Sequence, residues 1–268
     1  ASAWAAPFVA ANFDFDVLFT AAAQSGLTSQ EQQHFADSAN FWEEQLRGYR
    51  DGVSRTYTIT VDVFDEPAAN NVVRLGSAGP STLALSAPGA GGPVGDGQFI
   101  YAVGGVANFN VNAAAGILNP LVVRHEFGHA LGFGTLWEEN LVYNDFIAGN
   151  SLFDPQGGAV GQYLGPNALA AYRLEFDPAA TFVPVELDGG PGTAHGHWNE
   201  AGDAPANENL AGFDSDPGDD APAPTVVAGG NAGRSLDDEL MTGFLSGTAF
   251  LSQTTLGQFF DLGYVVIP

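Results

Sequence analysis

The run His125-Glu126-Phe127-Gly128-His129 carries the strongest chemical signal in the chain. On an α-helix its two histidines share one face, with Cβ atoms about 5–6 Å apart, so both imidazoles can ligate one divalent ion. Glu126 stands roughly 100° further round such a helix, where it flanks the ion without ligating it and can accept the proton of an attacking water. The chemistry on offer is metal-assisted hydrolysis. The plain alternative is a helix that happens to carry two histidines satisfied by carbonyls. Four of the five histidines fall into two tight clusters, His125 with His129 and His195 with His197, which favours the metal reading. The fifth, His34, reads as an ordinary surface or boundary residue.

A catalytic zinc site takes three protein ligands and keeps its fourth position open. Thr135 occupies the place where short-spaced zinc proteases put their third histidine, so that ligand must come from further along the chain. His195-Gly196-His197-Trp198 supplies two candidates, and on chemistry alone either ring serves; Glu200 is the nearest carboxylate alternative. His197 lies 68 residues beyond His129, so the intervening chain must fold back beneath the metal helix. Gly132 permits the sharp exit that such a return needs. Arg124, next to the first ligand, is expected to point away into solvent or onto a carboxylate.

The helix itself is well signalled. Asn119 and Pro120 supply an N-cap and a first-turn proline, Leu121, Val122 and Val123 follow, and Gly132 stands at the C-cap position, which predicts a helix over 120–131. Upstream, Thr28 and Glu31 form a capping-box pattern, and Phe35, Phe41, Trp42 and Leu46 recur near helical spacing, which predicts a long amphipathic helix over 29–48. Tyr57, Ile59, Val61 and Val63 alternate with Thr56, Thr58, Thr60 and Asp62, the period of a half-buried strand over 55–63. Residues 71–75 and 98–103 are weaker strand candidates, and 76–97, dense in Gly, Pro, Ser and Ala, reads as a surface loop. Pro166 opens a helix through about Arg173, and 182–187 reads as a short strand. Ser252 caps a last helix that Gly263 stops, before an extended tail over 264–267.

With 268 residues, 45% of them hydrophobic, one domain is the default. Against 31 acidic residues stand 7 arginines and no lysine, a net charge of −24 that excludes a nucleic-acid backbone or an anionic membrane surface as partner. The absence of cysteine removes disulfides, thiolate metal sites and cysteine nucleophiles. The uncharged stretch 98–123 contains four asparagines, three glycines and Pro120, which argues against a transmembrane helix. The sole methionine is Met241, so residue 1 reads as the start of a processed or trimmed chain, and the acidic balance fits secretion into a salty medium. Residues 201–233 form an acidic loop in which Asp214, Asp216, Asp219 and Asp220 offer oxygen ligands for Ca2+. They match no EF-hand spacing, and a solvated loop is the favoured reading.

Three segments together resemble a known family: the stretch from His125 through His129 to Trp137, then Gly192-Thr-Ala-His-Gly-His-Trp-Asn-Glu200, then Glu239-Leu-Met-Thr-Gly243. They look like the bacterial branch of the leishmanolysin-type metzincin metalloproteases, as do Leu75–Pro80, Gly165–Tyr172 and Asp261–Tyr264. In that family the third histidine follows a long insertion and directly precedes tryptophan, which matches His197-Trp198, and a methionine lies in a tight turn beneath the metal, which matches Met241. The acidic loop and the lack of cysteine are departures from it. The resemblance implies an α+β, two-lobed zincin in a single catalytic domain, 1–268. Its N-terminal lobe, 1–132, holds a twisted mixed sheet, a backing helix and the active-site helix. Its C-terminal lobe, 133–268, holds the methionine turn and last helix. The expected activity is that of a secreted zinc endopeptidase acting on a peptide or protein substrate, with Zn2+ on His125, His129 and His197 and Glu126 as general base. The rival from another class is an acidic secreted adhesion or matrix module whose metal is structural.

Overall fold

The computed structural model describes residues 13–67, 73–112, 118–144, 161–186, 193–199, 224–243, 245 and 247–267. In chain order these residues form β1 (Phe13–Phe19), α1 (Ala21–Gly26), α2 (Ser29–Gln45), β2 (Leu46–Tyr49), β3 (Arg55–Phe64), β4 (Gly76–Leu85), β5 (Ile100–Asn110) and α3 (Pro120–Ala130). There follow β6 (Tyr143–Asn144), β7 (Gln162–Tyr163), α4 (Pro166–Glu175), β8 (Val183–Pro184), α5 (Gln253–Asp261) and β9 (Tyr264–Val266). The architecture is α+β. A four-stranded mixed sheet runs in the order β1-β3-β5-β4, with the first three strands parallel and β4 antiparallel at the edge. β2 pairs with β9, and β6, β7 and β8 make a small third sheet. Among the described residues no helix is long and apolar enough to cross a membrane.

One face of the sheet carries the metal helix. Along β3 the side chains of Tyr57, Ile59 and Val61 are buried, as their alternation requires. On α3, Phe127 points into this core, stacked on Phe15 at 5.0 Å and 6.1 Å from Phe35 of α2. The Tyr57 hydroxyl donates to Ala130 O, and Tyr264 donates to Leu131 O at 2.8 Å, so the end of α3 is tied to a sheet strand and to the tail. α2 backs the same helix. Its capping box forms in both directions between Thr28 and Glu31, and Trp42 Nε1 donates to Arg124 O at 2.9 Å.

Several expectations need correction. The segment 76–97 is not all loop, because Gly76–Leu85 is a ten-residue edge strand. Pro80 and the small residues mislead because an edge position leaves one row of N–H groups unpaired anyway, and the register shifts around Pro80–Thr82 absorb the proline. Residues 73–75 precede that strand rather than forming one, and 71–72 lie outside the described residues. β5 extends well past 103, to Asn110. The helix predicted to run to 48 ends at Gln45, where the chain turns extended to pair with the C-terminal tail as β2 with β9. β1 went unpredicted, although Phe13 and Phe15 alternate with Asp14 and Asp16. Of the acidic loop, 201–223 lies outside the described residues, while 224–233 is turn structure with Thr225 bridged to Ser235.

The C-terminal portion is held by helices that cap each other. Asp261, ending α5, accepts from Asn167 N at 3.0 Å and Ala168 N at 2.9 Å in the first turn of α4, whose N-cap Gly165 has no side chain to do so. Glu175, ending α4, accepts from Gln253 N and Thr254 N at 2.9 Å in the first turn of α5. Each carboxylate thus meets the positive end of the other helix. Asp261→Ala is expected to cost about 2–4 kcal/mol by stranding those donors. The readout is a lower denaturant midpoint at unchanged slope, and an unshifted midpoint would contradict the cross-capping argument.

Candidate metal centre

α3 starts and stops as its sequence requires. The Asn119 side chain accepts from Leu121 N, and Pro120 fills the first turn. At the other end Gly132 takes a positive φ of 114°, Gly132 N donates to His129 O and Phe133 N to Gly128 O, both at 3.0 Å. This is a Schellman exit, and it returns the chain toward the helix it has just left. The Phe133 carbonyl thereby comes within 3.0 Å of His129 Nδ1.

All three buried imidazoles are held in this manner. His125 Nδ1 donates to Leu240 O at 2.7 Å, His129 Nδ1 to Phe133 O, and His197 Nδ1 to Thr193 O at 2.7 Å. A carbonyl oxygen can only accept, so each Nδ1 carries the proton and each Nε2 presents a bare lone pair. These Nε2 atoms lie 3.0 Å (His125–His129), 2.9 Å (His129–His197) and 3.1 Å (His125–His197) apart. Three lone pairs so close repel one another unless a cation lies among them, and metal–nitrogen bonds of about 2.0–2.1 Å span such a triangle. The group can hold a metal ion. Burial pushes the imidazoles down, His125 to about 4 and His197 to about 3, with His129 also well below the usual value. They stay neutral, as ligands must.

His197 reaches the trio because two glycines cross. A Cβ on Gly134, at φ 70°, would come within 2.5 Å of Gly196 O, so the helix exit and the third-ligand loop touch backbone to backbone. Behind the ligand, Trp198 is fully buried, stacked on Trp137 at 5.2 Å, and its Nε1 donates to Thr255 Oγ1 at 2.8 Å. Trp198 N also donates to Met241 O at 3.1 Å. Met241 lies under the metal helix, where a Cβ on Gly128 would come within 2.7 Å of its Sδ. Its turn is organised by buried Glu239, which accepts from Met241 N at 2.5 Å, from Ser252 N and Oγ at 2.9 Å, and from Thr255 Oγ1 at 2.7 Å.

Glu126 lies beside this centre, in a cleft of about 760 Å³ whose walls include residues 73–78 at the β4 edge, the loop at 193–197, and Gly243 and Leu245. Gly76 presses against its carboxylate, since a Cβ there would sit 2.7 Å from Oε1. Burial pushes the carboxyl up to about 8 even against the opposing pull of the Arg74 charge. A bound cation acts in the same sense as Arg74 and favours the ionised form.

The sequence-based candidates are now placed. His125, His129 and His197 converge, Glu126 shares their cleft and Met241 lies beneath them. His195 does not join the trio; its Nδ1 lies 2.9 Å from the Tyr143 hydroxyl. Arg124 is half-buried, with its guanidinium over the Phe41 ring at 4.6 Å rather than on a carboxylate. Glu200 and the proposed calcium ligands Asp214, Asp216, Asp219 and Asp220 lie outside the described residues. Sequence reasoning missed Gly76, Glu239 as an organiser of the turn, and Tyr143. Glu239 alone carried a local signal, through its place in Glu-Leu-Met-Thr-Gly. No protein-family model matches the chain, and no curated protein matches it.

Two outcomes are expected. Because the ligand imidazoles protonate far below their ordinary value near 6.5, metal affinity should stay level from pH 7 to pH 5 and fall only toward about 4. Chelator-competition titrations would read this, and a decline beginning at pH 6.5 would refute the buried-ligand argument. Gly134→Ala should force the 193–197 loop away and lower metal affinity at least tenfold. Unchanged affinity would show that the glycine crossing does not position His197.

Proposed function

We propose that the chain is a secreted zinc-dependent endopeptidase, acidic in composition, that hydrolyses peptide bonds. The observation that carries this reading is the set of three proton-free Nε2 atoms converging beside a buried carboxylate in an open cleft. A structural metal site needs no general base and closes its fourth position, which makes the adhesion or matrix alternative the weaker one. Nitrogen-only ligation of borderline softness suits zinc better than Ca2+ or Mg2+.

His125, His129 and His197 would hold the ion. When bound, zinc polarises the scissile carbonyl and makes water a stronger acid near neutral pH. Glu126 takes the proton of the attacking water as the new carbon–oxygen bond forms, then delivers it to the leaving amine nitrogen as the carbon–nitrogen bond breaks. Two peptides result, with no covalent intermediate. The groove along β4 admits a substrate in extended form. The net charge of −24 disfavours nucleic acid and anionic lipid as partners.

Glu126→Gln is expected to retain one equivalent of zinc by elemental analysis while losing at least about 10²-fold in peptide cleavage, the scale of a general base. Cleavage at the wild-type rate would refute the mechanism. His197→Ala should empty the centre, whereas His195→Ala should keep its metal; the reverse pattern would reassign the third ligand. Full activity after exhaustive chelation would remove the metal from the reaction altogether.

A further inference from the structure

His195 is set up as more than a spacer. It is one of two non-glycine residues with positive φ among the described residues, at 64°. Few non-glycine residues adopt that conformation, histidine more readily than most, and such backbone persists where surrounding contacts over-determine it, often at functional sites. Here the contacts are specific. His195 N donates to Glu186 O at 2.7 Å, while Glu186 N donates to His197 O at 2.9 Å, so the loop is clipped on both sides of Gly196. From β6 of the small third sheet, the hydroxyl of buried Tyr143 lies 2.9 Å from His195 Nδ1. Tyr143 is itself wedged against Trp137, with ring centroids 5.5 Å apart. His195 is half-buried and is one of the residues that line the cleft also lined by Glu126 and the three clustered histidines. A loop needing only to deliver His197 has no use for this arrangement, since glycine would satisfy the backbone with less strain.

We propose that His195 is a catalytic residue that contacts the substrate. In this role the Tyr143 hydroxyl donates to Nδ1 and the ring carries its proton on Nε2, which turns to donate a hydrogen bond to the carbonyl oxygen of the peptide bond under attack when substrate fills the cleft. The bond strengthens as negative charge gathers on that oxygen, and no proton need leave the imidazole. The role is electrostatic stabilisation of the transition state. It rests on the endopeptidase reading and adds to it the group that complements the metal at the scissile carbonyl.

The test uses the zinc-loaded full chain with a fluorogenic peptide that the wild type cleaves. His195→Gly, which accepts the positive φ, should keep one equivalent of zinc and an unchanged or higher melting temperature. Its kcat should fall about 10²–10³-fold, the cost of losing one oxyanion donor, with little change in KM. His195→Asn, which tolerates the same backbone and retains an N–H donor, should recover part of the loss. Tyr143→Phe should fall between it and wild type. A readout independent of turnover is the affinity of a phosphinic peptide, whose tetrahedral anion resembles the transition state. His195→Gly should weaken it far more than it weakens an uncleaved peptide bound to Glu126→Gln. Wild-type kcat in His195→Gly, or a loss that merely tracks loss of zinc, would overturn the proposal while leaving the endopeptidase reading intact. A wild-type chain that holds zinc yet cleaves no peptide in a broad library would overturn that reading, and this one with it.

Discussion

Three Nδ1–H···O=C hydrogen bonds are the constraint on which the centre depends. They fix each ring's tautomer and orientation, and so decide that three lone pairs rather than three N–H groups meet at one point. The acceptors are main-chain carbonyls from three places: the Schellman exit of α3, the turn at Met241 and the loop carrying His197. Fold and chemistry are therefore coupled through the backbone. Moving any of the three segments would rotate an imidazole, even if every ligand side chain were kept.

Scarcity of cations shapes the rest of the interior. Seven arginines and no lysine cannot neutralise many buried carboxylates, and those in the C-terminal portion rely on neutral donors instead. Glu175 and Asp261, each ending its own helix, accept from the first turn of the other, and Glu239 is ringed by backbone N–H and hydroxyl groups. Burial raises all three pKa values, and the donors offset part of that cost. The arginines are spent largely on aromatic faces, as with Arg50 over Phe99 and Phe260 and Arg124 over Phe41.

The metal helix was legible in the sequence because its determinants are local: Asn119, Pro120 and Gly132 bound it, and the four-residue histidine spacing needs only a regular helix. The capping box of α2 and the alternation along β3 were readable for the same reason. What escaped was set by partners distant in the chain. β4 has the composition of a loop and becomes a strand because β5 pairs with it. The last turn expected of α2 gives way to pairing with a tail more than two hundred residues later. For the third ligand, residue chemistry left His195 and His197 equal and only the resemblance pointed to His197; the crossing at Gly134 and Gly196 supplies the physical reason that its ring reaches the other two.

That crossing has an entropic consequence. The first two ligands come together as soon as α3 winds, whereas the third requires closure of a 68-residue loop, whose entropy rises with the logarithm of its length. A cation held by the trio would thus join a helix of local contacts to a segment whose closure is entropically costly. A cation shared by all three rings would therefore latch the segment around residue 197 onto α3 and oppose its local opening.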